Sequence, residues 1–194
     1  MDTTDTTSID CADVERLVMG HDAALNDLME RHGQRIFGFL LRMLGNEEDA
    51  NDLAQETFLR VYQHRATFKA GANFSSWLYT IAGNLARNHY RWRSRHPNVS
   101  LDAEREVSGQ SLKDTIPSTA AVPSEEALAL ERAQAVRAAV QCLPEDMREA
   151  ILLCEWEDFS MADAAAALGT TVKAVESRLY RARIQLRQSL KKWL

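Results

Sequence analysis

Two small all-α domains joined by a flexible linker, the second carrying a helix-turn-helix, are what this sequence predicts, and three observations predict them. Only 8 glycines and 4 prolines occur in 194 residues, so the chain is poor in turn-makers and biased against sandwiches and barrels of many short strands. Apolar residues recur at steps of three and four rather than alternating. Between residues 96 and 123 that periodicity fades, Pro97, Pro117 and Pro123 appear among Ser and Thr, and the stretch reads as a linker. With 45% hydrophobic residues the chain can build a modest core in each half, which excludes full disorder.

The first 12 residues are polar and acidic, and no order is expected of them. The first domain then runs over 13–95. Leu25, Leu28, Met29, His32, Ile36, Phe39, Leu40 and Met43 form one helical stripe, which Gly45 ends as a left-handed C-cap. Asn46 caps the next helix, whose first turn holds Glu47, Glu48 and Asp49 and whose buried face is Ala50, Leu53, Ala54, Thr57, Phe58, Val61 and Tyr62. After a loop at 70–73, a third stripe runs Leu78, Ile81, Ala82, Leu85, His89 and Trp92, with Ser75 or Ser76 as its cap. Asn84, Arg87, Asn88 and Arg91 fall on its other side.

The second domain spans 124–194. A helix starts at about Ser124, and Pro144 restarts the chain as the first residue of another. Ser160 caps a short helix from Met161 to Leu168, Gly169 turns, and Thr170 or Thr171 caps a long helix toward Lys192. That is helix-turn-helix spacing. Val172, Val175, Leu179, Ala182 and Leu186 face the core, leaving Lys173, Glu176, Ser177, Arg178, Arg181 and Arg183 on outer faces, residue types that contact phosphates and read base edges. A hairpin with a solvated basic face fits the same pattern.

The formal net charge of −5 argues against a nucleic-acid binder, but the charge is segregated. Positions 1–30 hold acidic residues against Arg16 alone, whereas 173–192 hold seven Lys or Arg and one Glu. In the third stripe Phe74, Trp77, Tyr79, Tyr90 and Trp92 stand beside Arg87, Arg91, Arg93 and Arg95, a composition that suits unpaired DNA, because extruded bases stack on aromatic rings at about 1–3 kcal/mol each. Aromatics at helical spacing also build cores, and Trp77 and Trp92 fit either role.

Cys11, Cys142 and Cys154 are too scattered for a disulfide framework or a metal site, and the reading is three reduced thiols. No 18-residue apolar run and no basic-then-apolar leader occur, so no membrane insertion and a cytoplasmic location are expected. No H-E-x-x-H, P-loop or glycine-rich nucleotide motif supports a hydrolase or metalloenzyme.

Three segments, Asp52 to Tyr62, Phe74 to Asn84, and Leu143-Pro144 with Val175 to Arg183, together resemble the sigma-70 family of bacterial transcription initiation factors. The resemblance is specifically to the extracytoplasmic-function (ECF) group, which keeps two of the usual domains. It implies a non-enzymatic factor that binds core RNA polymerase through the clamp coiled coil of β′ and the flap of β, directs it to promoter DNA and assists opening, with no cofactor or metal. Asp52, Leu53, Gln55, Glu56, Phe58 and Arg60 would form the polymerase-binding surface. Phe74, Trp77, Tyr79, Asn84, Arg87, Asn88 and Arg91 would melt and read the minus-ten element, with the loop at 68–73 pocketing a flipped base. Lys173, Glu176, Ser177, Arg178, Arg181 and Arg183 would read the minus-thirty-five element. An anti-sigma factor is the expected regulator.

Two positions depart from the family pattern. Glu176 stands where a basic residue is common, so it must accept from a cytosine amino group or repel phosphate. Ala164 stands where a larger aliphatic residue is common, so either Met161 or Phe159 compensates or the helix-turn-helix core is less stable by about 1–2 kcal/mol. Sites two helical turns apart lie about 70 Å from each other. A free linker of this length averages about 30 Å, so polymerase must hold it extended. The rival reading is a dimeric helix-turn-helix activator or repressor, which would bind a palindrome without polymerase.

Overall fold

The computed structural model describes residues 3–69, 71–96 and 125–193, so the expected linker at 96–123 lies, but for His96, outside the described residues. Among the described residues the chain is helical without strands. The helices are α1 (Thr3–Val18), α2 (Ala23–Leu44), α3 (Glu47–His64), α4 (Phe74–Arg95), α5 (Glu125–Gln141), α6 (Glu145–Glu155), α7 (Met161–Ala167) and α8 (Val172–Ser189), with a 3-10 turn at Arg65–Thr67.

Residues 3–12, where no order was expected, form the first part of α1. The reason is polar rather than apolar. Asp10 and Asp13 are buried and face α2, where Arg31 Nε donates to Asp10 at 3.0 Å, His32 Nε2 lies 2.8 Å from the other Asp10 oxygen, and Arg31 also pairs with Asp13. Val14 and Leu17, one turn on, enter the core beside them. Acidic residues that look like a solvated tail are here the partners of a basic pair, and charge-assisted bonds of this kind are the stronger sort.

The predicted stripe of α2 is buried at Leu28, His32, Ile36, Phe39, Leu40 and Met43, while Met29 is exposed. Gly45 takes φ 75° and donates its N–H to Leu41 O at 2.8 Å, the left-handed cap that glycine adopts without steric cost. Asn46 Oδ1 accepts from Asp49 N at 2.8 Å and starts α3. The cap of α4 is Asn73, whose Oδ1 accepts from Ser76 N at 3.1 Å, instead of Ser75 or Ser76. The helix begins two or three residues earlier than the serines imply, and its first residue, Phe74, is buried. Pro144 is the N-cap of α6, one position before its expected place. Ser160 and Thr171 cap α7 and α8 through Asp163 N and Ala174 N.

The two halves pack against each other. Helices α6 and α7 of the second domain lie on α2 and α4 of the first, and one apolar cluster runs through both. Phe159, in the α6–α7 turn, meets the Tyr79 ring at 5.0 Å, and Tyr79 meets Phe39 at 5.1 Å. Around this contact the buried groups are charged. Glu157 Oε2 accepts from Tyr79 OH at 2.5 Å and from Arg35 Nε at 3.1 Å. Glu149 pairs with Arg87. Arg148 donates to Met43 O and to Tyr90 OH, both at 2.5 Å.

Candidate nucleic-acid interface

Helix α3 buries Ala50, Thr57, Phe58 and Val61 against α2 and α4, and its other side faces solvent. Asp52, Gln55, Leu59 and Arg60 are exposed there, Leu53 and Glu56 are half-buried at its edge, and Arg60 Nε donates to Glu56 at 2.8 Å. Phe58, grouped with this surface from its sequence, is 4% exposed and belongs to the core. Leu59, which periodicity placed on neither face, is 48% exposed amid the polar residues.

Helix α4 separates its residues less cleanly than its stripe implies. Phe74 is fully buried against His32, Phe68 and Trp77, and Tyr79 is 3% exposed between Phe39 and Phe159, so neither ring can stack on a base in this arrangement. Burial is also why the Tyr79 phenol titrates well above its ordinary value, with the Glu157 carboxylate adding to the shift. Trp77 is half-buried and rests on Phe68 at 5.2 Å. Tyr90 is committed to Met43 O. The free face is Asn84, Asn88, Arg91 and Trp92, the last half-exposed and stacked on His96. Arg87 belongs to this face but is engaged: it bonds Glu149, and its Nη2 donates to Asn84 Oδ1 at 2.6 Å.

In α8, Val175, Leu179 and Ala182 are buried and Leu186 half-buried, as their spacing predicts, but Val172 is 41% exposed. One residue past the cap, Val172 lies outside the stripe that faces α6 and α7. Lys173, Glu176, Ser177 and Arg181 are exposed, and Tyr180, not singled out from the sequence, is 68% exposed beside them. Arg178 and Arg183 point back to their own domain, pairing with Asp146 at 3.3 Å and Glu155 at 2.5 Å. Ala164 is fully buried, and Met161 and Phe159 are half-buried, Phe159 on the Tyr79 ring.

Residues 28–96 match the family model for sigma-70 region 2, and residues 133–186 match that for sigma-70 region 4. The RNA polymerase sigma-H factor of Pseudomonas aeruginosa is 34% identical over 181 residues, covering 91% of each chain. The chain belongs to the sigma-70 family, in its ECF group. ECF sigma factor SigW of Bacillus subtilis is 30% identical, covering 92% of this chain and 95% of its own.

Two solved structures share the arrangement. CnrH in complex with the cytosolic domain of CnrY aligns with a TM-score of 0.69 at 27% identity, over 95% of this chain and 98% of that one. RpoE in complex with the anti-sigma factor NepR from Bartonella quintana aligns at 0.62 and 28% identity, over 86% of this chain and 96% of that one. The motifs quoted from the sequence fall in the two matched regions, and the exposed faces of α3 and α4 lie in region 2 while that of α8 falls largely in region 4. Among the described residues of this sigma factor no helix is long and apolar enough to cross a membrane.

Proposed function

We propose that this sigma factor docks on core RNA polymerase through the outer face of α3, with Asp52, Gln55, Glu56 and Arg60 as polar contacts around Leu59. The outer face of α4 then takes the unpaired strand of the minus-ten element on Asn84, Arg87, Asn88, Arg91 and Trp92, beside the half-buried Trp77. The exposed side of α8 enters the major groove of the minus-thirty-five element with Lys173, Glu176, Ser177, Tyr180 and Arg181, while Arg178 and Arg183 must leave their carboxylates to join them. The factor works in the cytoplasm, without a cofactor and without bond chemistry of its own. Its contribution is differential binding: contacts to extruded bases offset an unstacking cost of a few kcal/mol.

One observation carries the reading. Two helical units with region 2 and region 4 sequence lie on one chain, and each presents an exposed polar helix face that its own core does not use. An anti-sigma partner follows from the same likeness, since RpoE, a solved relative, is seen bound to one. The test is affinity for purified core polymerase. Leu59→Asp is expected to weaken binding of the full chain at least about tenfold, as loss of a central apolar contact does, with helicity unchanged. Wild-type binding by the substituted chain would remove α3 from the docking surface.

A further inference from the structure

Position 83 is the one place in the interior of α4 without a side chain, and the space is taken. A Cβ built there would lie 2.2 Å from Glu149 Oε1 and 3.3 Å from Arg87 Nη1. The Glu149 carboxylate, 4% exposed, therefore rests directly on the α4 backbone and is held by Arg87. Glycine inside a helix is less stable than alanine, so helix stability does not explain it. Room for Glu149 does.

The group being held is an oxyanion, and the residue holding it lies on the face assigned to DNA. Carboxylate and phosphate both accept from the planar fork of arginine. Through Arg87 the same carboxylate also fixes Asn84, so two of the residues on that face are occupied from within the chain. The rest of the contact is of a kind that separates. Beside the Phe159–Tyr79 ring contact it holds buried charges, Glu157 on Arg35 and Tyr79, and Arg148 on Met43 O, and buried charge contributes little net stability once desolvation is counted. Domain interfaces of mixed polarity resemble transient ones. With α7 packed on α4, the chain also cannot reach two sites about 70 Å apart.

We propose that in the free protein the second domain is an intrachain inhibitor of the first: Glu149, admitted by the notch at Gly83, occupies Arg87 in place of a DNA phosphate. The chain must open before α4 meets DNA. This rests on the reading of α4 as a DNA-contacting helix. Apparent affinity then falls by the fraction of molecules that are open, so a chain closed 90% of the time engages about tenfold more weakly than one that is always open.

The test compares the full chain with Gly83→Ala and with Glu149→Arg, which sets a like charge against Arg87 where a glutamine would keep the acceptor. Neither position is in the proposed contact set, and the alanine strengthens α4, so unchanged circular dichroism is expected of both. Small-angle scattering of the free protein reads closure, and run-off transcription with core polymerase is titrated to saturation. Both variants should expand, reach half-maximal transcription at several-fold lower concentration, and keep the wild-type maximum. Variants as compact as the wild type would overturn the proposal, as would expanded variants with an unchanged half-maximal concentration and a normal maximum, an outcome that leaves the sigma-factor function intact. No transcription from any of the three chains at saturation would instead refute the function, and the inhibition with it.

Discussion

Replacing Arg148 with methionine keeps an unbranched apolar stem and removes every side-chain donor. Arg148 is 7% exposed, and its guanidinium is shared between two helix ends: Nε donates to Val140 O at 3.2 Å and Nη2 to Leu143 O at 2.9 Å and to Gln141 O, while Nη1 reaches Met43 O near the end of α2. The last carbonyls of a helix have no partner within it, so Arg148 closes α5 and steadies α2 at once. Each buried carbonyl left unpaired costs about 1–3 kcal/mol. Taking the three acceptors within the second domain at the low end gives a loss of about 3 kcal/mol. For a unit of this size each kcal/mol lowers the melting temperature by about 4–8 °C, so a fall of about 12–24 °C is expected. Calorimetry of the full chain measures it, with Arg148→Lys falling between, because an ammonium lacks the planar fork. A methionine variant melting within about 4 °C of the wild type would refute the claim that this guanidinium holds the helix ends.

Three further outcomes are expected. Asp10→Ala strips Arg31 and the buried His32 of a partner, so α1 should lose amide protection ahead of the rest, at a cost of about 2–4 kcal/mol; hydrogen exchange with α1 still protected would contradict its polar attachment. Burial raises the Glu149 carboxyl above its ordinary 4.5, against the opposing charges of Arg87 and Arg178 and with a small push from Glu145. Closure therefore draws this contribution in full below pH 4.5 and loses it as pH rises through the raised value. Scattering should show the chain more open on the alkaline side of that window, and Glu149→Gln should remove the trend. Lys173→Ala should lower the salt dependence of minus-thirty-five binding by about one ion, whereas an unchanged slope would take Lys173 off the phosphate backbone.

Periodicity and capping chemistry carried most of the fold because they are local. Gly45, Asn46, Ser160 and Thr171 each act on a backbone group within a few residues, and their roles can be read from the chain alone. What periodicity does not carry is the partner across a polar contact. Asp10 and Asp13 look like a solvated tail until Arg31 and His32 are placed beside them, and Glu149 looks like any charge on a helix until Gly83 is seen to make room for it. The candidate DNA face was legible for Asn84, Asn88 and Arg91, which need only an exposed helix side. It misled for Phe74 and Tyr79, because an aromatic ring offers the same signal to a base and to a core, and here the first turn of α4 and the second domain bury both.

Run-off transcription by purified core polymerase on a library of promoters, with and without this chain, tests the central claim most directly. Initiation should start at defined positions downstream of a shared pair of elements, and only when core enzyme and sigma factor are both present. Tight, sequence-specific binding of the chain to palindromic duplex without polymerase, together with no initiation in its company, would contradict it.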